Sequence, residues 1–183
     1  MIGLKHREPV TLRLADIQGN ILNAYGRLGF PKGRAILLHV HKSEVGCSFL
    51  KDFYPHVTTA LRWPSSRPNA VPSGPNAPMR PDVTLNFAFT FAGLLALGVP
   101  IRSLVKMPNE FMQGMRARAA ILGDNYPPGA LEQCDEVWKN EDDPTGSRNV
   151  HILALLNSDM DRETGLPVVH MERLTDAIRS FCD

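Results

Sequence analysis

The alternation of apolar and polar residues is most regular in residues 82–100, DVTLNFAFTFAGLLALGVP. Apolar side chains occupy every second position from Val83 to Phe89, which predicts a strand with one face against a core. At Thr90 the period changes to that of a helix, with Thr90 as its N-cap and Gly98 where it should stop. The stretch therefore predicts a core strand that leads directly into a short apolar helix.

Five further segments have the period of a strand or a helix. Two are predicted strands and three are predicted helices: residues 34–41 and 150–156, then residues 44–54, 108–122 and 171–181. Ser43 is the predicted N-cap of the first of these helices, and Gly123 is the predicted stop of the second. The second helix also carries an apolar stripe that includes Phe111, Met112 and Leu122.

The order of the elements, β-α-β, helices, β-α, predicts a single α+β domain over residues 1–183. It is a ferredoxin-like βαββαβ pattern, an antiparallel sheet with helices on one face, without its last strand. Because that strand should pair the open sheet edge, we expect a chain that is incomplete or completed by another chain. A Pro-rich stretch at 62–81, with six of the 15 prolines, and an acidic stretch at 124–149 are interpreted as surface loops.

Composition and charge argue against a partner that binds mainly by electrostatic attraction. The 183 residues carry a net charge of +1, with 43% hydrophobic and 21% charged residues, so no overall field favours nucleic acid or an acidic membrane. Neither a signal-peptide pattern nor a membrane span is visible, and we expect a cytoplasmic protein. Cys47, Cys134 and Cys182 lack CxxC spacing and are interpreted as separate reduced thiols.

One pair of side chains could hold a metal. His39 and His41 lie two residues apart on a predicted strand and would point the same way, as two imidazoles that share a metal must. A third ligand is not marked in the sequence, so ordinary strand histidines are the simpler interpretation.

Five short segments occur together in one order along residues 12–159. They are DIQGN (16–20), VTTA (57–60), NFAFTFAGLLALGVP (86–100), FMQGMRARAAILGD (111–124) and HILALL (151–156). This combination resembles the N-terminal half of the dye-decolorizing (DyP-type) haem peroxidases, with the C/D-like members most similar. The resemblance implies two ferredoxin-like halves in one chain, a dimeric α-β barrel, with haem b held mainly by the second half.

The resemblance also implies which catalytic parts to seek. The family uses a proximal histidine on the iron, a distal Asp in a GxxDG motif and a distal Arg to cleave hydrogen peroxide, and then oxidises dyes or other bulky aromatic donors. Only Gly29 and Gly33 have the GxxDG spacing, and Lys32 stands where the Asp belongs. No catalytic, haem-binding or metal-binding residue is therefore assigned to this chain, and its isolated form is expected to be inactive.

Several other side chains gain an interpretation from the resemblance. Arg116 and Arg118 could meet a haem propionate or an acidic partner, and a solvated helix face is the alternative. Trp63 and Trp138 are candidate surface oxidation sites, and anchoring of their loops, as for Tyr126, is the alternative. His151 could be imagined as a haem ligand, but a structural placement in the third strand is expected.

Two alternatives to the peroxidase interpretation stay open. The first is a haem-free ferredoxin-like module that self-associates through its open sheet edge and serves binding or assembly. The second is a small metalloenzyme that uses His39 and His41.

Overall fold

The computed structural model describes residues 11–22, 25, 29–64, 79–123 and 149–182. Its strands are β1 (Lys32–Leu38), β2 (Val83–Phe89) and β3 (Ile152–Ser158). Its helices are α1 (Gly19–Leu22), α2 (Ser43–Phe53), α3 (Phe91–Ala96), α4 (Ile101–Leu104), α5 (Asn109–Ala117), α6 (Ala119–Leu122) and α7 (Val169–Arg179). None of the helices in these ranges is long and apolar enough to cross a membrane.

The three strands form one open sheet in the order β1-β3-β2, and both outer strands run antiparallel to β3. Ala154 of the central strand pairs with Ile36 on one side and with Phe87 on the other. Since β1 and β2 are parallel to each other and separated by β3, α2 completes a split β-α-β unit. The predicted ferredoxin-like α+β fold, with its antiparallel sheet, is confirmed.

The core lies on the face of the sheet that α2 and α7 cover. It contains buried residues of both helices and of the two strands β2 and β3, together with Leu97 at the end of α3: Phe49, Phe53, Val83, Leu85, Phe87, Leu97, Ile152, Ala154, Leu156, Met171 and Ile178. The alternation along β3, in which every second residue is buried, follows from the pleat of the strand. The amphipathic pattern of the last helix is confirmed, because Met171 and Ile178 are fully buried.

The polar face of β2 differs from the expectation. Thr84 and Asn86 were expected on a face away from the core, yet both side chains are 0% exposed. The reason is that the segments around Gln18 and Thr58 cover this part of the sheet, and the amide of Asn86 donates to Thr58 O at 2.9 Å. Polar side chains can be buried here because the covering segments supply hydrogen-bond partners.

The same two segments close the outer edge of β2. The side-chain amide of Gln18 accepts from Phe87 N at 2.7 Å and donates to Phe87 O at 2.8 Å, as a neighbouring strand would. Thr58 does the same for Leu85, accepting from Leu85 N at its Oγ1 and donating its own N–H to Leu85 O. Among the described residues, the outer edge of β1 has no such cover.

The first and third predicted strands are confirmed with shifted ends. β1 ends at Leu38, so the prediction that His39 and His41 lie within it was wrong, and β3 extends two residues further to Ser158. The predicted cap at Ser43 was also wrong: Lys42 holds the N-cap position, and it makes no side-chain cap hydrogen bond. Ser43 instead begins α2, because the chain leaves extended geometry one residue earlier than the sequence suggested.

The predicted helix at 108–122 is broken. Gly114 has φ 71° and ψ 175°, which lie outside the helical region. It therefore separates the helical segment before it from the one after it. The apolar stripe is not buried as expected, because Phe111 is 36% exposed and Leu122 is 50% exposed. Gly123, at φ 82°, ends the segment in the left-handed conformation that was predicted for it.

The transition from β2 to α3 follows the prediction closely. Thr90 caps α3 by accepting from Gly93 N at 3.0 Å, and its hydroxyl donates to Val150 O at 2.9 Å. One threonine therefore both starts the helix and joins it to the segment that leads into β3. As a result, Gly93 lies directly against the backbone of His151.

Candidate functional site

Three imidazoles meet where β1 ends and β3 begins. The ring centroid of His39 lies 4.6 Å from that of His41 and 4.2 Å from that of His151, with the second pair stacked at 28°. His39 and His41 are indeed neighbours, as their spacing predicted. Sequence reasoning missed that His151 joins them, because only strand pairing brings residues separated by more than a hundred positions together.

Hydrogen bonds define the proton positions in this cluster. His39 Nδ1 lies 2.7 Å from Asn149 O, and since a carbonyl can only accept, Nδ1 must carry a proton. Val40 N donates to His151 Nδ1 at 3.0 Å, so the neutral His151 ring carries its proton on Nε2. The two rings therefore have opposite tautomers when both are neutral.

The surroundings of His151 favour its neutral form. The residue is 3% exposed, and burial lowers its pKa below the ordinary value of 6.5, with the nearby His39 acting in the same direction. A buried imidazolium would have little water around it and a second imidazole stacked on it.

A cavity of about 350 Å³ lies beside the cluster. Its wall combines His39, His41 and Lys42 with mainly apolar side chains from α2, from the sheet and from the segment after α7. The described residues of the wall include no acidic residue. They are Leu37, Leu38, His39, Val40, His41, Lys42, Val45, Gly46, Phe49, Ile152, Phe181 and Cys182. The cavity can accept apolar groups, but its wall offers no carboxylate for acid-base chemistry.

The arrangement does not make a metal centre. Within the described ranges, no group of three His, Cys, Asp or Glu side chains is placed to hold a metal ion. His151 Nδ1 accepts from Val40 N–H, so the neutral ring carries its proton on Nε2, and neither ring nitrogen has a free lone pair for a metal in this tautomer. His151 lies directly before β3 and accepts a hydrogen bond from the connection that follows β1.

The residues with GxxDG spacing have structural positions. Gly29 forms a turn at φ 88°, and Lys32 and Gly33 lie in β1. The spacing of the two glycines therefore reflects a turn followed by a strand.

Trp63 packs into an aromatic group with Tyr25 and Phe30. Its ring stacks on Tyr25 at 5.9 Å and meets the edge of Phe30 at 5.9 Å, and burial raises the pKa of Tyr25 to about 12. Trp63 is half-buried by these contacts, which fits the anchoring interpretation. Trp138 and Tyr126 lie outside the described residues, as do most of the two predicted loops at 62–81 and 124–149.

The remaining candidates have ordinary surroundings. Arg118 lies 4.0 Å from Glu110 and 3.5 Å from Gln113, both on the preceding helix α5. The side chain of Arg116 is outside the described part of the structure. Cys47 and Cys182 are free and exposed, and Cys134 lies outside the described residues.

Two bidentate ion pairs were not predicted. Arg34 contacts both carboxylate oxygens of Glu172 at 2.7 and 2.8 Å, which joins β1 to α7. Arg80 contacts both oxygens of Asp159 at 2.7 and 2.8 Å and lies 4.0 Å above the ring of Phe30. No local signal could have found them, because each pair joins segments that are far apart in sequence.

Replacing Asp159 by asparagine should lower the free energy of unfolding slightly at neutral pH and should have no effect at acid pH. Arg80 holds the pKa of Asp159 below its ordinary value, so the pair stabilises the protein at neutral pH and this contribution is lost as pH falls through the lowered pKa. Because both side chains are about one-third exposed, we expect about 0.5–1 kcal/mol at pH 7. Urea denaturation at neutral and acid pH measures the effect, with the exposed Asp176→Asn as control. An equal loss at both pH values would contradict the prediction.

Two of the segments that carry the family resemblance lie next to each other. Gln18 and Thr59 form an isolated bridge, and Gly19 N donates to Thr58 O at 2.9 Å. DIQGN and VTTA thus form the cover of β2, so their role here is architectural.

Comparison with known proteins gives matches at the level of structure. No family model matches the sequence, and no curated protein does. A solved dye-decolorizing peroxidase variant in complex with cyanide matches 94% of this chain with a TM-score of 0.59 and 26% identity. A decolorizing peroxidase from Auricularia auricula-judae and an engineered dye-decolorizing peroxidase, whose heme pocket was altered for sulfoxidation, each match 93% with a TM-score of 0.56 and 20% identity.

These matches cover the chain almost completely but only part of the solved proteins. The chain spans 31% of the length of the first of these peroxidases and 30% of each of the other two. The five sequence segments and the fold therefore lead to the same group of proteins: this chain is similar to dye-decolorizing peroxidases and has the fold of about one-third of such an enzyme.

Proposed function

We propose that this chain is a structural portion of a dye-decolorizing haem peroxidase and forms one wall of the assembled enzyme. Peroxide-dependent oxidation of dyes or phenolic donors would then be the activity of the whole protein, and haem b its cofactor. The match over 94% of this chain and 31% of a solved peroxidase supports this proposal.

The observation that carries the proposal is the part of one sheet face that the described segments leave uncovered. Helices α2 and α7 cover one face of the sheet. On the other face the segments around Gln18 and Thr58 cover Thr84 and Asn86, and the remaining side chains are largely apolar and partly exposed: Ala35, Leu37, Ala88, Leu153 and Leu155. Leu37, on the edge strand β1, is 39% exposed. A contiguous apolar surface of this kind is typical of an interface with further protein.

The described residues do not themselves fit a haem peroxidase site. The described wall of the cavity beside the histidines has no carboxylate, and His151 accepts a backbone hydrogen bond at Nδ1 and carries its proton on Nε2, so its neutral ring has no free lone pair. Peroxide cleavage needs a group that transfers a proton, and iron needs a free axial ligand. We therefore assign both roles to the remainder of the enzyme.

Complementation tests the proposal. The chain is co-expressed with the remaining two-thirds of a dye-decolorizing peroxidase that lacks the matching portion, and haem absorption and peroxide-dependent dye bleaching are recorded. We expect activity from the pair and none from either part alone. A sharp Soret band with dye bleaching from this chain alone would overturn the proposal, as would a pair that folds but does not associate.

A matched pair of variants tests which surface is used. Leu37→Glu places a charge on the uncovered sheet face, whereas Leu95→Glu places one on α3 at nearly the same exposure, 39% against 41%. We expect only the first variant to abolish complementation, because a charge in an apolar interface loses its water without gaining a partner. Equal effects of the two variants would rule out the sheet face as the interface.

The second candidate function is a haem-free module that self-associates. It is favoured by one observation, the outer edge of β1, which no described segment covers. Light scattering distinguishes the two functions, since a stable dimer of twice 20.3 kDa supports strand pairing between copies.

A further inference from the structure

The connection between β1 and α2 is held to the start of β3 by three hydrogen bonds. His151 N donates to Leu38 O at 2.9 Å, Val40 N donates to His151 Nδ1 at 3.0 Å, and His39 Nδ1 donates to Asn149 O at 2.7 Å. Two of the three use an imidazole, so the attachment of this connection depends on the protonation state of histidine.

Only one of these two imidazole bonds is lost on protonation. His39 Nδ1 carries a proton in both the neutral and the charged ring, so it can donate to Asn149 O in either state. His151 Nδ1 accepts from Val40 N–H with a lone pair that the charged ring does not have. In a protonated His151, the Nδ1–H group would point at the N–H group of Val40. Because two donors cannot bond to each other, Val40 would have to move away.

Among the residues that the structure describes, no opposite charge faces His151 to relieve such a state. The ring of His39 stacks on it and contacts the ring of His41, and a positive charge on either ring would oppose protonation of His151. From the side of α3, Thr90 and Gly93 contact the backbone of His151, and neither carries a charge. Lys42 adds a cation to the same cavity wall, and Glu44, in the first turn of α2, is exposed.

Release of Val40 would reach α2 through a close contact. A Cβ atom placed on Gly46 would lie 2.9 Å from Val40 Cγ1, so the side chain of Val40 packs directly on the backbone of α2 at this glycine. Val40 and Gly46 both line the cavity. Movement of Val40 therefore changes both the packing against α2 and the shape of the cavity wall.

We propose that the three imidazoles form an acid-operated latch, in which protonation of His151 releases the backbone of residues 39–42 from the start of β3. Below the ordinary histidine range the connection opens at Val40 and loosens the packing of α2. Because the unfolded chain takes up a proton at His151 more readily than the folded one, stability falls as pH drops below about 6.5.

Amide hydrogen exchange followed by NMR tests the latch in the 183-residue chain. We compare Val40 N–H with Thr90 N–H, which donates to the carbonyl of His151 at 3.1 Å and should keep its bond at any pH. After correction for intrinsic exchange, the ratio of the Val40 rate to the Thr90 rate should rise by about tenfold or more between about pH 7.5 and about pH 5. An unchanged ratio overturns the proposal.

Two variants separate the latch from general acid sensitivity. In His151→Gln the amide oxygen can still accept from Val40 N–H but does not titrate, so the rise in the ratio should disappear. His170→Gln removes an imidazole on α7 that pairs with Asp82 at 2.8 Å, and the rise should persist. A rise that survives in His151→Gln overturns the proposal.

The nitrogen chemical shifts of the His151 ring provide a test that needs no variant. They should show an unprotonated Nδ1 at neutral pH, and Nδ1 protonation should coincide with faster exchange at Val40. Protonation of Nδ1 while Val40 stays protected overturns the proposal.

Discussion

Gly93→Ala is expected to destabilise the fold more than any other single methyl addition considered for this protein. In an exposed helix this change would stabilise by up to about 1 kcal/mol, because alanine has the higher helix propensity. Here the added Cβ would lie 2.7 Å from the carbonyl carbon and 2.9 Å from Cα of His151, and closer still to its carbonyl oxygen. We expect a loss of about 3 kcal/mol or more in the free energy of unfolding.

The loss of stability is large because the backbone of His151 would have to move to make room for the added methyl group. His151 O accepts from Thr90 N at 3.1 Å, and the hydroxyl of the same threonine donates to Val150 O, so this junction cannot shift without breaking hydrogen bonds. Urea denaturation with a constant m-value would measure the change.

Two other glycines provide graded controls. A Cβ on Gly46 would meet side-chain atoms of Leu97 and Val40 at 2.8 and 2.9 Å, which can rotate away in part. A Cβ on Gly33 would meet Asn157 Oδ1 at 3.8 Å, which is ordinary contact. The expected order of loss is Gly93, then Gly46, then Gly33, and a Gly33→Ala variant as unstable as Gly93→Ala would contradict it.

Gln18→Leu is expected to cost about 2–4 kcal/mol in the free energy of unfolding, because it leaves the buried N–H and C=O of Phe87 without partners. Gln18 supplies both bonds, at 2.7 and 2.8 Å, and a leucine of similar size would exclude the water that could replace them. The same denaturation measurement applies, and loss of protection of the Phe87 amide should accompany it.

Two further substitutions of Gln18 distinguish the loss of its hydrogen bonds from the exclusion of water by leucine. Gln18→Ala should cost less than Gln18→Leu, because it leaves room for water to reach the strand edge. Gln18→Glu should keep an acceptor for Phe87 N but lose the donor to Phe87 O, and its carboxylate would face that carbonyl. Gln113→Leu, on the exposed side of α5, is the control and should be neutral. A Gln18→Leu variant as stable as this control would contradict the prediction.

The histidine cluster shows where sequence reasoning stops. The spacing of His39 and His41 was sufficient to predict that their rings are neighbours. It could not supply His151, whose place beside them depends on the pairing of β1 with β3 across a separation of more than a hundred residues. The tautomers that distinguish His39 from His151 depend in turn on individual backbone groups, Asn149 C=O and Val40 N–H.

The sequence by itself determined the order and type of the main elements, because the periods of strands and helices, the Thr90 cap and the Gly123 stop are local properties of the chain. Tertiary structure alone decided that Gln18 and Thr58 close the edge of β2, that His151 stacks on His39, and that the described segments leave part of one sheet face uncovered. These features arise from contacts between segments distant in sequence, and such contacts depend on which backbone groups and apolar surfaces still lack a partner once the elements have formed.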